Sequence, residues 1–335
     1  MTAVAVLERP GTVRSPRLSG MGWVTWRQHR LGLAGAVALL GGLSVFLAWQ
    51  GLDMHGAYAR LGLDRCGSLS GPACQVPLQT FEQQYQNWAQ LLPRFVEFIP
   101  GLLGMFVGAP LVAREFESGT FRFAWTQGTH RLRWITVKLG LLGGTLTALT
   151  IAFSAFFSWW YGPWGPLMGR MSSGQAYEVV GVVFAARTLF AFMLGALLGT
   201  MLRRTIPAMA ATAAAWTAVV VPSVLWLRPR IQRPVIAPAS SNLITSNGWV
   251  IHNWVQDTAG RHIGRTQLLE AARVAGVNSR DGFNAWMAQH GYTNWVSYQP
   301  DNRFWHFQTI EGTAYLVLAL LLGAATIWWI RHRAC

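Results

Sequence analysis

Glu115 and Glu117 stand two positions apart, and Arg131, Arg133 and Lys138 follow them within one polar stretch, AREFESGTFRFAWTQGTHRLRWITVKLG (113–140), which lies between two long apolar runs. Acids at one end and bases at the other offer ion pairing and docking, not self-contained catalysis. The chain contains no G-x-x-x-x-G-K-[ST] loop to cradle nucleotide phosphates. It also lacks a G-x-S-x-G elbow and an intramembrane carboxylate pair at helical spacing. His252, His262, His290 and His306 show no short metal-ligand spacing, so no metal, catalytic or cofactor-binding residue is expected in the chain itself. What the stretch does carry is aromatic: Phe116, Phe121, Phe123 and Trp125, which a solvated loop would not leave uncovered. At helical spacing Phe116, Thr120, Phe123 and Gln127 share one face, the anchor pattern of a short helix laid into a groove on a partner. Gly119 and Gly128 let the backbone bend into and out of it.

The elements that must position this elbow follow from composition. Of 335 residues, 52% are hydrophobic and only 12% charged, against about 25% charged in an average soluble domain. The formal charge is +14, but the basic residues fall in clusters between apolar runs, as juxtamembrane anchors do, which argues against nucleic acid and for a lipid bilayer. Six stretches are long enough to cross a membrane, at about 31–49, 95–112, 134–161, 179–202, 206–227 and 310–330. The first is read as an uncleaved signal anchor. With the N-terminus inside, the inner side collects fourteen Arg and Lys and the short outer connections only four, so both termini are expected to be cytoplasmic in a multi-pass cell-membrane protein.

The expected fold class is an all-α polytopic membrane protein with six transmembrane helices and a small α+β extracellular domain between helices five and six. Residues 1–17 read as a disordered cytoplasmic tail and 18–30 as an interfacial helix, although 18–30 fits an extension of the first span equally well. Helices one to five occupy 31–227, with the elbow at 113–133; the outer domain covers 228–308, and helix six with the C-terminus covers 309–335. Within the outer domain the sequence predicts a hairpin turning near Asp257 to Gly260, a helix at RTQLLEAARVAG ended by Gly276 and a second helix with Phe283, Trp286 and Met287 on one side. The run from Tyr292 to Gln308 reads as an aromatic belt where the chain re-enters the membrane. Cys66 and Cys74 fall outside, where a disulfide is chemically permitted; two free thiols are the alternative. The pairs Gly104/Gly108 and Gly195/Gly199 read as helix-packing contacts within one chain. Glu97, Glu178 and Glu311 lie near outer span ends and suit anchoring or ion pairing. Arg187 lies deeper, and is either a lining residue of a translocation path or a packed ion pair.

The motif Glu115-x-Glu117-x-Gly119-Thr120, followed by Thr126-Gln127, Arg131 and Lys138 between spans two and three, resembles the membrane subunit of type 2 ABC transporters, most closely permeases of actinobacterial exporters. The resemblance extends to six spans, inside termini and the YQPxxRFWxFQxxE run from Tyr298 to Glu311. It departs from many members in having Gly128 where they have Pro. It implies a coupling helix at about 115–127, with Glu115, Phe116, Glu117, Gly119, Thr120, Phe123, Trp125, Gln127 and Arg131 facing two copies of a separate ABC ATP-binding subunit. That subunit would hold ATP and Mg, and a second copy of this chain would complete the pathway. The function so implied is outward, ATP-driven transport of an amphipathic small molecule, peptide or lipid-like substrate, the chain being a transport subunit and not itself an enzyme. The alternative is a membrane receptor or regulatory subunit that senses an extracellular ligand and signals to a cytoplasmic partner.

Overall fold

A computed structural model describes residues 18–66, 71–119, 130–171, 176–239, 248–277 and 279–333. Among these, six helices are long and apolar enough to cross a membrane, spanning Thr25–Arg60, Ala73–Ser118, Arg131–Trp160, Val183–Leu202, Thr205–Arg230 and Asp301–Arg333. A four-stranded sheet is inserted before the last.

The first helix, α1 (Leu18–Arg60), runs unbroken for 43 residues. The stretch 18–30 is therefore its extension, not a separate interfacial helix. At 1.5 Å per residue α1 is about 65 Å long, roughly twice the hydrocarbon core. Its far end pairs with α2 (Pro72–Val96), a helix in polar sequence where only a connection was expected. The stripe that holds α2 is Phe81, Tyr85 and Ala89, all buried and one turn apart. Phe81 meets Tyr58 edge-on and lies 5.0 Å from the Trp164 ring, and the Tyr85 hydroxyl donates to Asp53. A Cys66–Cys74 disulfide, with Cα atoms 6.3 Å apart, closes the hairpin between α1 and α2.

The second span continues through α3 (Ile99–Leu103), a π-turn at Gly104–Gly108 and α4 (Pro110–Ser118). The third is α5 (Arg131–Trp160), the fourth α6 (Val183–Leu202) and the fifth α7 (Thr205–Pro222) with a further π-turn to Leu227. Helix α6 is the hub, with the most buried apolar window of the six. At the α6 crossing Gly104 and Gly108 lie against Ala191, Phe192 and Gly195, and Gly199 lies against Ala109. A Cβ on Gly195 would lie 2.4 Å from the Gly104 carbonyl oxygen, and one on Gly199 equally close to that of Ala109. In lipid, such close backbone approach is what lets small residues hold helices together.

In the inserted domain, β1 (Val235–Pro238), β2 (Trp249–Gln256), β3 (His262–Ile263) and β4 (Thr293–Gln299) form an antiparallel sheet in the order β1-β4-β2-β3. The predicted hairpin is β2–β3. The predicted helices are α8 (Arg265–Val274) and α9 (Arg280–Gln289), whose Trp286 and Met287 pack on Leu268 and Ala272. The correction concerns β4: part of the run read as an aromatic belt is a central strand, pairing on both sides. Its alternating Trp295, Ser297 and Gln299 fit the two-residue period of a strand. Helix α10 (Phe304–Arg333) then forms the sixth span.

Candidate functional site: the elbow and a buried ion network

Helix α4 ends where Gly119 takes a left-handed φ of 71°, the conformation that glycine adopts without a Cβ penalty and that ends a helix sharply. Just before that stop, the two elbow glutamates point to different neighbours. Glu115 forms an ion pair with Lys138 of α5, whose side chain is buried and whose Nζ also lies 4.5 Å from the Trp134 ring centroid. Glu117 accepts hydrogen bonds from the Thr205 amide at 3.1 Å and the Thr205 hydroxyl at 2.6 Å. Thr205 is the first residue of α7, so the Glu117 carboxylate caps that helix and meets the positive end of its dipole. The Arg203 guanidinium sits 5.6 Å over the Phe116 ring, and Arg203 also donates to the Arg333 carbonyl at the end of α10. Arg131 opens α5. The other residues expected in the elbow, Thr120, Phe123, Trp125 and Gln127, lie outside the described residues.

At the opposite end, four charged groups from four places in the chain close on one another. Arg187 of α6 contacts Glu178 and, at 2.6 Å, Glu311 of α10. Arg228, just past α7, reaches Glu178 at 2.5 Å and Glu311 at 2.9 Å. Each guanidinium thus bridges both carboxylates, and all four side chains are 5% exposed or less. Two cations and two anions cancel, and the Arg fork matches carboxylate geometry, so the charges survive burial. The Tyr177 ring lies 4.1 Å from the Arg228 guanidinium carbon, and its hydroxyl donates to Glu311.

Glu178 belongs to a non-helical stretch, 176–182, whose first five residues are buried between helices. Side chains from neighbouring spans satisfy its backbone. Gln308 of α10 donates to the Tyr177 and Val180 carbonyls and accepts from the Val183 amide; the Ser154 hydroxyl of α5 bonds Val179 and Gly181. Irregular backbone among apolar helices is stable only with such partners.

Sequence reasoning did not single out Arg228, the first residue of the stretch read as the outer domain. A signal existed: Glu178 and Glu311 at outer span ends with Arg187 alone between them leave a net negative charge, and burial demands a second cation. Glu97, at the junction of α2 and α3, is half-buried near this network and makes no ion pair among the described residues.

A profile of the family described as ABC-2 membrane transporter related matches residues 25–228. The chain belongs to that family. It is a multi-pass ABC transporter membrane subunit, of a kind typically without catalysis of its own. A search of curated proteins gave no match. The family match ends at Arg228 and so includes Glu178, Arg187 and the elbow, while Glu311 and the sheet domain lie beyond it.

Proposed function

We propose that this membrane component is the permease of an ATP-driven exporter. Two copies would enclose the pathway and each would dock one ATPase subunit through the elbow 113–133. The cargo class that fits is an amphipathic small molecule, peptide or lipid-like compound. Both termini and the elbow face the cytoplasm, and the sheet domain faces outward. The clustering of short-loop Arg and Lys on the elbow side and a disulfide on the sheet side support this orientation.

The observation that carries the reading is the attachment of the elbow at two points. Glu115 ties it to the third span and Glu117 to the start of the fifth. A displacement imposed by a closing ATPase pair is then passed on as rigid-body motion of helices, the usual form of such switching. Phe116, Gly119 and Arg131, with Thr120, Phe123, Trp125 and Gln127, would complete the docking face. For Arg187, engagement by two carboxylates supports a clamping role over direct contact with cargo.

The test is co-purification with a candidate ABC ATPase subunit, followed by ATPase measurements across a panel of amphipathic compounds. Stable association and compound-stimulated hydrolysis are expected. A protein that binds no ATPase, or that moves its cargo without one, contradicts the reading.

A further inference from the structure

Between the first and second spans runs a groove with two contiguous halves. The half near the elbow is a cleft of about 390 Å³ lined by Gln28, His29, Arg114, Glu115 and Ser118. The other, about 380 Å³, is walled by Leu31, Gly35, Ala36, Leu39, Leu102 and Phe106. Leu31, Gly32, Phe106 and Val107 border both, so this is one groove, polar at one end and apolar at the other. From Gln28 to Leu39 it follows α1 for about 16 Å, close to half the hydrocarbon thickness of about 30 Å. That is the depth of one leaflet.

The polar end is cationic. Glu115 is neutralised by Lys138, whereas Arg114 is exposed and makes no ion pair among the described residues. His29 Nε2 is buried and has no hydrogen-bond partner among them. A group bringing acidic oxygens would meet the first and give the second a partner, and an alkyl chain attached to it would cover the apolar half.

We propose that this groove binds a bilayer phospholipid with an anionic headgroup, its phosphate between Arg114 and His29 and one acyl chain along Leu31 to Leu39. The proposal goes beyond the transport reading and does not depend on it. Two substitutions separate the halves. Arg114→Gln removes the charge. Gly35→Leu fills the apolar half, and since a Cβ at Gly35 meets nothing within 4 Å, the backbone need not move.

The experiment is native mass spectrometry of the full-length, delipidated protein titrated with phosphatidylglycerol or with phosphatidylcholine of the same chains. The wild type should prefer phosphatidylglycerol by about fivefold, the expected effect of one basic residue at an anionic headgroup. Arg114→Gln should lose the preference but keep weak binding of both lipids. Gly35→Leu should weaken both, with the melting temperature of each variant unchanged. Equal affinity of the wild type for the two lipids overturns the proposal. So does wild-type lipid binding by both variants, or a wild-type dimer that takes up neither lipid because a second copy fills the groove.

Discussion

At the sheet-bearing end, Glu178, Arg187, Arg228 and Glu311 spend their charges on one another, and no member keeps more than a twentieth of its side-chain surface. At the elbow end the acids are dispersed: Glu115 reaches one helix, Glu117 another, and Glu117 remains exposed. A closed ring of charges fixes how α6, α7 and α10 sit together. Single tethers on an exposed bend can hold it while leaving it free to be pushed. The same residue types thus make a clamp at one end and, on the function proposed above, a lever at the other.

The largest expected effect is at the clamp. Arg228→Ala leaves two buried carboxylates facing one guanidinium, at a cost of about 3 to 5 kcal/mol. Little monodisperse protein should survive extraction, by fluorescence-detected size-exclusion chromatography. Replacing both a cation and an anion, Arg228→Met with Glu311→Gln, should recover much of the loss, because charge balance is restored. If Arg228→Ala melts like the wild type, the clamp is not a clamp.

Next is the covalent tie at the same end. Losing the Cys66–Cys74 bond, whose partners are 8 residues apart, should cost about 2 to 3 kcal/mol of local stability. Hydrogen exchange should quicken in the α1–α2 hairpin and not in the elbow. Smaller still is Glu117→Ala, which removes an exposed carboxylate from the start of α7. Its melting temperature should barely move while compound-stimulated ATP hydrolysis falls. A variant that lost stability but kept stimulation would reverse the contrast between the ends.

The smallest effect concerns the β2–β3 turn. The Asp257 carboxylate is held below its usual range, first by the Arg261 amide and also by the Arg261 guanidinium and the Ala259 amide. A lowered folded pKa means the contribution is present above the unfolded value of about 4 and lost as pH falls through the folded one. Hydrogen exchange at residues 249–263 should accelerate in acid, and Asp257→Asn should flatten that dependence.

The six spans were legible because hydropathy acts over some twenty contiguous residues and needs no knowledge of partners. Helix α2 was not, because its signal is the sparse stripe Phe81, Tyr85, Ala89 within QTFEQQYQNWAQ, which a search for apolar runs passes over. The central strand β4 was read as an interfacial belt because Trp295 and Tyr298 suit both settings, and only pairing with β1 and β2 separates them. The elbow was visible as aromatic residues amid charge, yet the Thr205 that receives Glu117 lies 88 positions away. Direct pairs in the ion network join residues up to 124 positions apart. Local sequence names such residues one by one, and the fold brings them together.

The most direct test of the lever is transport and ATP hydrolysis measured together in proteoliposomes holding this chain with its ATPase, comparing the wild type with Phe123→Ala and Trp125→Ala. Both variants should reconstitute normally, lose cargo-stimulated hydrolysis and stop moving cargo. Wild-type stimulation and wild-type export in both variants would contradict it.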